Sequence, residues 1–281
     1  MAVGPGTTVE ARLVDDGPPV TLEVPDLPAG PHPLLEAACT EADLPAGLRV
    51  HVRITSAVPP GASLGTSASV VVALLGALDR LCGRERAPAE VAAAAHGVET
   101  ERLGLQSGVQ DQLAAANGGA QLVEIDPYPT VRTTALPAPD GLVVVYLGRS
   151  HVSSHVHEQV IASLDGTDRL QPLRDAARAA ADAARRGDLP ALGTAMRAAN
   201  DGQRALHPAL VSEVADAVGA LADRHGALGW KVNGAGGDGG SLTILLDGDP
   251  APLVADVRGV APGVRALDLR PSAAGLAVRE V

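Results

Sequence analysis

The feature that most constrains this chain is a loop of small residues that runs directly into a helical repeat of apolar residues. Residues 58–69 read VPPGASLGTSAS, and apolar side chains follow at helical spacing. In such a loop, backbone N–H groups can converge on an anion, and the helix start adds unpaired N–H groups and the positive end of its dipole. The segment therefore predicts a loop and helix that bind phosphate.

This loop differs from a Walker P-loop, which requires Lys before the Ser/Thr, whereas residues 58–69 contain no Lys. The segment instead resembles the P-x-x-x-G-L-G-S-S-A nucleotide loop of the GHMP kinases, although Ser63 replaces the usual Gly and Thr66 the usual Ser. The alternative is a simple loop that caps a buried helix. The resemblance implies that ATP binds the residues Pro60, Gly61, Ala62, Ser63, Leu64, Gly65, Thr66, Ser67 and Ala68.

Composition excludes several classes of protein. The net charge of −11 argues against a surface for nucleic acid or for anionic lipid, since both require clustered positive charge. Two cysteines are too few for a disulfide framework. Apolar residues make up 46% of the 281 residues, but Arg, Asp, Gly or Pro interrupts every long apolar run. We therefore expect a cytoplasmic protein that has no membrane or nucleic-acid partner.

Hydrophobic periodicity predicts a mixed order of helices and strands. The segment 136–141, rich in Pro and Gly, is the best linker. After it, the order strand, helices, strand, helix, strand suits a ferredoxin-like unit with extra helices. The predicted helices are 33–43, 67–81, 88–103, 109–116, 151–163, 169–186, 189–200, 208–225 and 251–258, and the main predicted strands are 7–14, 20–24, 48–54, 120–125, 142–147, 240–246, 265–269 and 276–280.

A second informative segment places two carboxylates on either side of a bend that contains glycine. Glu99 precedes Gly104 and Gly108, and Asp111 follows them at the start of a predicted helix. Phosphoryl transfer from ATP needs Mg²⁺ and a group that orients or deprotonates the acceptor hydroxyl, and one carboxylate can serve each need. The alternative is a solvated acidic helix end.

Residues 99–119 resemble the GHMP pattern E…G…SG-x-x-DQ…GG, and they are most similar to the sugar-kinase branch that includes heptose 7-phosphate kinase and bacterial fucokinase. This resemblance implies that Asp111 is the catalytic Asp and that Glu99 and Ser67 are the Mg²⁺ ligands. Glu101 competes for the metal role. Val109 stands where the family usually has Lys, which leaves one phosphate or substrate contact unaccounted for.

The third segment is rich in glycine and satisfies G-x-G-x-x-G from Gly234 to Gly239. A dinucleotide fingerprint must open a helix, but a β-patterned run follows here, so this pattern does not indicate a Rossmann fold. It resembles instead the third GHMP motif, K-x-x-G-A-G-G-G, with Asp238 as an extra residue. That resemblance implies that Gly234, Ala235 and Gly236 lie near the acceptor. The alternative is a glycine-rich hairpin turn.

Residues 148–154 are similar to a segment near the acceptor in the heptose-kinase branch, which implies that Arg149 or His151 contacts a sugar or its phosphate. A polar helix start is the alternative. His151, His155 and His157 also invite a metal site, but no fourth ligand accompanies them, so a structural or substrate-lining role is favoured. The front segment R-x-x-x-x-G-G-x-x-D of the family is not recognisable, and we expect a shortened start.

The resemblance as a whole implies an α+β GHMP kinase with two domains and the active site between them. Residues 1–137 are predicted to form a nucleotide domain like ribosomal protein S5 domain 2, and residues 138–281 a ferredoxin-like domain. The implied reaction transfers the γ-phosphoryl group of MgATP to a hydroxyl of a sugar or sugar phosphate. The alternatives are a mevalonate- or homoserine-type kinase and a catalytically silent regulator that binds nucleotide or sugar. A homodimer is compatible with the sequence.

Overall fold

A computed structural model of the protein describes residues 1–25, 27, 30–150, 160, 166 and 168–280. The chain divides into two compact units, each built from separate stretches of sequence. The N-terminal unit holds Ala2–Val58, Gly65–Gly118 and Ser272–Val281, and the C-terminal unit holds Met1, Pro59–Leu64 and Gly119–Pro271. The predicted boundary after residue 137 divides the chain into two continuous domains, whereas each unit combines separate stretches; the boundary therefore stays a prediction.

The N-terminal unit combines a small sheet with four helices. In the sheet, the middle strand β4 pairs antiparallel with β2 and parallel with β3. Val50, Val52 and Ile54 are buried at alternate positions of β4, as in a strand with one buried face, and β4 confirms the predicted strand 48–54 from residue 50 onwards. The elements are β1 (Val3–Gly4), β2 (Thr7–Leu13), β3 (Val20–Glu23), α1 (Pro33–Glu41), β4 (Val50–Ser56), α2 (Thr66–Leu81), α3 (Pro88–Gly97) and α4 (Gln110–Asn117).

Helix α2 is the central helix of this unit, and its bounds confirm the predicted helix 67–81. The residues buried along it include Ala68, Val71, Leu74, Leu75 and Leu78, which repeat at three- and four-residue intervals as an amphipathic helix requires. The segment after residue 272 packs against α2 so closely that a side-chain carbon at Gly76 would lie 2.8 Å from Leu276.

Helix α3 ends earlier than predicted, because Val98–Arg102 forms one turn of π-helix. The chain then bends, and the backbone N–H of Leu105 donates to the carbonyl of Glu99 at 2.9 Å. Gly104 adopts φ +64° in this bend, a backbone region that glycine enters without strain. The predicted helix 88–103 is therefore correct for its first part, and the bend returns the chain towards Glu99.

The C-terminal unit contains a four-stranded antiparallel sheet in the order β10-β7-β9-β8 and a separate hairpin of β5 and β6. The four-stranded order is that of a ferredoxin-like unit. The elements are β5 (Ala120–Ile125), β6 (Val131–Leu136), β7 (Leu142–Leu147), α5 (Gln171–Arg186), α6 (Leu189–Leu206), α7 (Glu213–Arg224), β8 (Gly229–Val232), β9 (Ser241–Leu245), α8 (Ala251–Asp256), β10 (Val264–Leu267) and β11 (Arg270–Pro271).

Helices cover both faces of the four-stranded sheet. Helices α7 and α8 pack on one face, where Trp230 and Val218 belong to the larger apolar core of the unit. The hairpin of α5 and α6 packs on the other face, where Ala183 and Leu192 surround Leu245. These helices are the predicted additions to the ferredoxin-like core. Because helices cover both faces, β7 is a nearly continuous apolar run.

One predicted strand is wrong, four observed strands were not predicted, and one predicted helix falls outside the described residues. The strand predicted at 276–280 is wrong, because the N–H of Leu276 donates to the carbonyl of Ala116 near the end of α4 instead of to a strand. Strands β1, β6, β8 and β11 were not predicted, and β8 is short and borders the glycine-rich segment. The predicted helix 151–163 lies outside the described residues, except for residue 160.

Candidate active site

The predicted phosphate loop begins with a tight turn. The N–H of Ala62 donates to the carbonyl of Pro59 at 3.3 Å, which closes a four-residue turn. Pro60 occupies the second position of this turn, and Gly61 the third with φ +70°. This is the sequence and φ pattern of a type II turn, in which Pro presets the second residue and only a residue with positive φ fits the third.

The loop then alternates between ordinary and left-handed backbone. Ser63 has φ +55° and Gly65 has φ +66°, so every second residue from Gly61 to Gly65 has a positive φ. Alternating backbone of this kind points successive N–H groups in one direction and is typical of anion sites. Ser63 is the residue that replaces the family's usual glycine, and it keeps the left-handed conformation in spite of its side chain.

Gly65 is the N-cap of α2 and has no side chain to occupy the first N–H groups of the helix. Within the described part of the chain, the Thr66 hydroxyl oxygen is buried without a hydrogen-bond partner. Ser67, a predicted Mg²⁺ ligand, is the second residue of α2 and is exposed. The helix start therefore retains the N–H groups and hydroxyls that a phosphate site needs.

Asp111 lies directly beside this helix start. A side-chain carbon built on Gly65 would lie 3.1 Å from both Cβ and Cγ of Asp111 and 3.3 Å from its Oδ2. Asp111 is the second residue of α4, which follows the bend described above. The structure thus brings together the two positions that the sequence placed in one site, and their chemical roles stay predictions.

Glu99 is the buried carboxylate next to this arrangement, with 5% of its surface exposed. Two neutral donors contact its Oε2: the hydroxyl of Ser107, and the side-chain amide of Gln112 at 3.0 Å. Its Oε1 is buried, and no described residue donates to it. A buried carboxylate oxygen without a donor is costly unless a cation or another ligand completes it.

The surroundings of Asp111 raise the pKa of its carboxyl above the usual Asp value, first through desolvation by the protein atoms packed around it and then through the negative charge of Glu99. Asp111 nevertheless remains exposed as a residue, so its carboxyl is accessible to a small molecule. An accessible carboxylate with a raised pKa is a stronger base than an ordinary Asp and suits proton transfer from a hydroxyl.

The third predicted segment lies within the C-terminal unit, next to the first half of the loop. A side-chain carbon on Gly234 would lie 3.4 Å from Cβ of Ser63, and one on Gly236 would overlap the carbonyl oxygen of Leu210 at 1.8 Å. Gly236 is therefore needed for packing, whereas Gly234 is exposed and Ala235 half-buried. The acceptor role predicted for these three residues stays a prediction.

Two cations flank this segment. The amine of Lys231 donates to the carbonyl of Val232 at 2.6 Å, and burial lowers the pKa of Lys231 to about 8. Arg149 is exposed, and its carbonyl accepts from the N–H of Gly240 at 2.9 Å. His151, with His155 and His157, lies outside the described residues. In the described part of the chain, no group of three His, Cys, Asp or Glu side chains forms a metal site.

Sequence patterns missed the supporting residues of the site. Ser107 and Gln112 lie in the segment 99–119 that resembles the GHMP pattern, but the resemblance assigned neither of them a role. Both donate a hydrogen bond to Glu99. A Ser–Gly pair followed by Asp–Gln indicates only a bend and a helix start. Which donors meet the carboxylate depends on the π-turn and the bend, which helical periodicity does not predict.

The sequence matches two families, GHMP kinases N terminal domain over residues 34–119 and GHMP kinases C terminal over residues 180–257. Mevalonate kinase of Pyrococcus horikoshii is 30% identical over 255 residues, which cover 88% of this chain and 73% of the relative. Mevalonate kinase of Thermococcus sibiricus is 33% identical over 68% of this chain, and the match spans only 58% of that relative. Galactokinase of Mycobacterium tuberculosis is 30% identical and is matched over 72% of this chain and 66% of the relative.

Solved structures show the same fold. The mevalonate kinase of Methanococcus jannaschii superposes with a TM-score of 0.78 at 18% identity, covering 96% of this chain and 90% of that one. A D-glycero-D-manno-heptose 1-phosphate kinase from Bacteriodes thetaiotaomicron gives 0.69 at 18% identity, covering 96% and 84%. The predicted α+β fold of a two-domain GHMP kinase is thereby confirmed. No helix in the described ranges has the length and apolarity needed to cross a bilayer.

The relatives confirm the predicted GHMP kinase family. They do not single out its sugar-kinase branch, because they include mevalonate kinases as well as a galactokinase. Two family matches in the expected order, and a relative aligned over most of its length, agree with the three sequence motifs. The chain belongs to the GHMP kinase family, whose members are phosphotransferases that use ATP and act on alcohol groups.

Proposed function

We propose that the protein is an ATP-dependent kinase that transfers the γ-phosphoryl group to a hydroxyl of a small hydroxy acid of the mevalonate type. The observation that carries the proposed kinase reaction is the position of Asp111, the proposed base for the acceptor, against Gly65 at the start of a helix that suits phosphate. Phosphoryl transfer depends mainly on such positioning and on stabilisation of charge.

In this proposal, ATP binds through the loop residues Pro60 to Ala68. The positive φ angles of Gly61, Ser63 and Gly65 favour N–H groups that face an anion. The first N–H groups of α2 and the positive end of its dipole add to the attraction. In the described part of the chain, no side chain caps this helix start.

The residues of the site fit Mg²⁺. Glu99 offers a buried Oε1 that receives no hydrogen bond from the described residues, and Mg²⁺ prefers oxygen ligands. We propose that Glu99 and the Ser67 hydroxyl hold the ion. When bound, Mg²⁺ would offset the negative charge of the phosphates.

Asp111 is proposed as the catalytic residue that orients the acceptor hydroxyl and accepts its proton. The pKa of its carboxyl is raised by desolvation and by Glu99, which increases its basicity, and its exposure allows an acceptor to approach. Arg149, with an exposed guanidinium, is a candidate partner for the carboxylate of a hydroxy acid or for the phosphate of a sugar phosphate. Gly234, Ala235, Gly236 and His151 remain proposed acceptor residues.

A sugar or sugar phosphate is the second candidate acceptor. It is favoured by the 30% identity with a galactokinase and by the Asp-Gln pair at 111–112, which resembles the sugar-kinase branch. The mevalonate type is preferred because the mevalonate kinase of Pyrococcus horikoshii matches 88% of this chain, against 72% for the galactokinase, and several further relatives carry the same name.

An acceptor panel tests the proposal. Purified protein with MgATP is offered mevalonate, homoserine, galactose and a heptose phosphate in parallel, and ADP release is measured with a coupled assay. ADP release that depends on mevalonate supports the first candidate, and release that depends only on a sugar replaces it with the second. ATP binding by calorimetry without release for any acceptor would favour the silent regulator. No ATP binding at all would contradict the kinase with either acceptor and would leave only a regulator that binds sugar.

A further inference from the structure

A side chain that is distant in sequence donates a hydrogen bond to the backbone of the proposed phosphate loop. The hydroxyl of Ser241, on β9, donates to the carbonyl oxygen of Ala62 at 2.6 Å, across 179 residues of chain. Ser241 is 1% exposed, so water does not compete for this hydrogen bond. The Ala62 carbonyl directly precedes the left-handed Ser63 in the loop.

Two further side chains continue this contact into the sheet. The Asn233 amide donates to the hydroxyl oxygen of Ser241 at 2.9 Å, and the Thr243 hydroxyl donates to the amide oxygen of Asn233 at 2.8 Å. The N–H of Asn233 also donates to the carbonyl of Ser241 at 2.9 Å, which fixes the two residues to each other. The three hydrogen bonds donated by side chains form a chain from Thr243 through Asn233 and Ser241 to the Ala62 carbonyl, and in such a chain each bond polarises the next.

Ser63 explains why the loop needs this support. Its φ of +55° lies in the left-handed region, where a residue with a side chain is strained. A side-chain carbon at Gly240 would lie only 2.4 Å from Oγ of Ser63, so the serine fits because position 240 has no side chain. A strained residue persists only where its surroundings hold it in place.

We propose that Ser241, Asn233 and Thr243 are positioning residues that hold the Ala62 carbonyl and thereby keep Ser63 left-handed. Their effect is to preorganise the loop N–H groups for the phosphates of ATP, so that binding does not have to order the loop. This inference rests on the proposed function for its consequence, but the anchoring itself can be measured without nucleotide.

The anchoring is tested by NMR on the nucleotide-free protein. Labelling with ¹³C-carbonyl Ala and ¹⁵N Ser selects the three Ala–Ser pairs in the sequence, at 62–63, 68–69 and 162–163. In Ser241→Ala, the Ser63 resonance is expected to shift or broaden while that of Ser69 stays in place. Thr243→Val should produce a smaller shift in the same direction. Thr194→Ala is the control, because among the described residues its exposed hydroxyl donates only to the Pro190 carbonyl of its own helix.

The functional consequence is tested with a cycle of Ser241→Ala and Ser63→Gly. Calorimetry should show that Ser241→Ala weakens ATP binding by about tenfold, the effect of losing one buried hydrogen bond. In the Ser63→Gly background the loss should fall below about threefold, because glycine adopts positive φ without strain and needs no anchor.

An unchanged Ser63 resonance in folded Ser241→Ala protein, or an equal loss of affinity in both backgrounds, would overturn the inference. If Ser241→Ala does not fold, Thr243→Val takes its place in both experiments, and an unmoved Ser63 resonance in that variant counts equally against the inference. Wild-type protein that fails to bind ATP would refute the proposed function, and the NMR result would still decide whether the anchor exists.

Discussion

Two buried carboxylates in the N-terminal unit have opposite surroundings. Asp79, near the end of α2, is 3% exposed and pairs with two arginines: Arg86 bonds to it at 2.6 and 2.9 Å, and Arg84 at 3.1 Å. Glu99 is 5% exposed, has neutral donors on one oxygen and no described donor on the other. The fold supplies arginines that neutralise Asp79, whereas no described residue donates a hydrogen bond to Oε1 of Glu99.

This contrast distinguishes a buried carboxylate that stabilises the fold from one that is available to a ligand. A buried ion pair with several hydrogen bonds is self-sufficient and links distant segments, as Arg84 does when it also donates to the carbonyl of Ala42. A buried carboxylate with no cation beside it among the described residues raises the pKa of its neighbour, and Glu99 does so for Asp111 in addition to the larger effect of desolvation. Unbalanced charge of this kind is typical of sites that bind ions or transfer protons.

Of the variants that test this contrast, Asp79→Ala is expected to have the largest effect, on the free energy of unfolding. Removing the carboxylate leaves Arg84 and Arg86 without their partner, and we expect the free energy of unfolding to fall by about 3 kcal/mol, as for a broken buried pair. Urea unfolding measures the change. Asp182→Ala, which breaks an exposed pair with Arg185 at 2.7 Å, is the control and should cost less than about 1 kcal/mol. Equal losses in the two variants would remove the distinction between Asp79 and a surface charge.

Asp111→Asn is expected to lower turnover by at least about 10²-fold, the effect of losing a general base. ATP affinity should change little, because the loop and the start of α2 remain. Turnover comes from the coupled assay with the best acceptor, and affinity from calorimetry. Asp16→Asn, in an exposed turn, serves as the control. Retention of wild-type turnover by Asp111→Asn would exclude the proposed base.

Glu99→Gln tests whether the incomplete carboxylate serves a cation. We expect the Mg²⁺ concentration needed for half-maximal ATP binding to rise by about tenfold or more, in the range seen when a metal site loses a supporting group. The stability without nucleotide should stay equal or increase, because a buried charge without a counterion disappears. A large loss of stability would instead place Glu99 in the same structural class as Asp79.

The pH titration of Asp111 gives a smaller, directional effect. Burial and then the charge of Glu99 raise the pKa of Asp111, so its carboxyl in the Mg²⁺-free protein should titrate above the range of an ordinary Asp. In Glu99→Gln the second cause is absent, so the titration should move to lower pH. NMR of the Asp111 carboxyl carbon across acidic pH in both Mg²⁺-free proteins provides the test, and coincident titrations would show that Glu99 does not act on Asp111.

The smallest effect concerns stability. A raised pKa in the folded state means that ionised Asp111 destabilises the fold, so its contribution is favourable at acidic pH and is lost as pH rises through the folded pKa. Asp111→Asn should therefore be slightly more stable than wild type at neutral pH. The difference should vanish below about pH 3, where Asp is protonated in both states. Urea unfolding at the two pH values measures it, and an equal gain at both would point to a cause other than ionisation.

Much of the site was predictable because its signals are local. The small residues at 60–68 and the apolar repeat of α2 predicted a loop and a helix that the structure confirms, since turn chemistry and helical periodicity act within a few residues. The structure shows a close approach of backbone in the third segment at Gly240, which leaves no room for a side chain next to Ser63.

The partners of the buried groups were not predictable in the same way. The pairing of Asp79 with Arg84 and Arg86, the donors to Glu99 and the hydrogen bond from Ser241 to Ala62 all depend on how turns and sheets bring separate segments together. No spacing rule specifies these contacts. The failed strand at 276–280 has the same origin, because its alternating pattern did not reveal that Leu276 would bond to α4.

The amino-acid sequence by itself determined the family, the order of the motifs and the residues available for chemistry, because these depend on residue type and short spacing. Only the tertiary structure decided which carboxylate is neutralised and which is left incomplete, and which side chain supports the strained Ser63. These outcomes depend on burial and on hydrogen bonds between distant segments, and both exist only once the chain has folded.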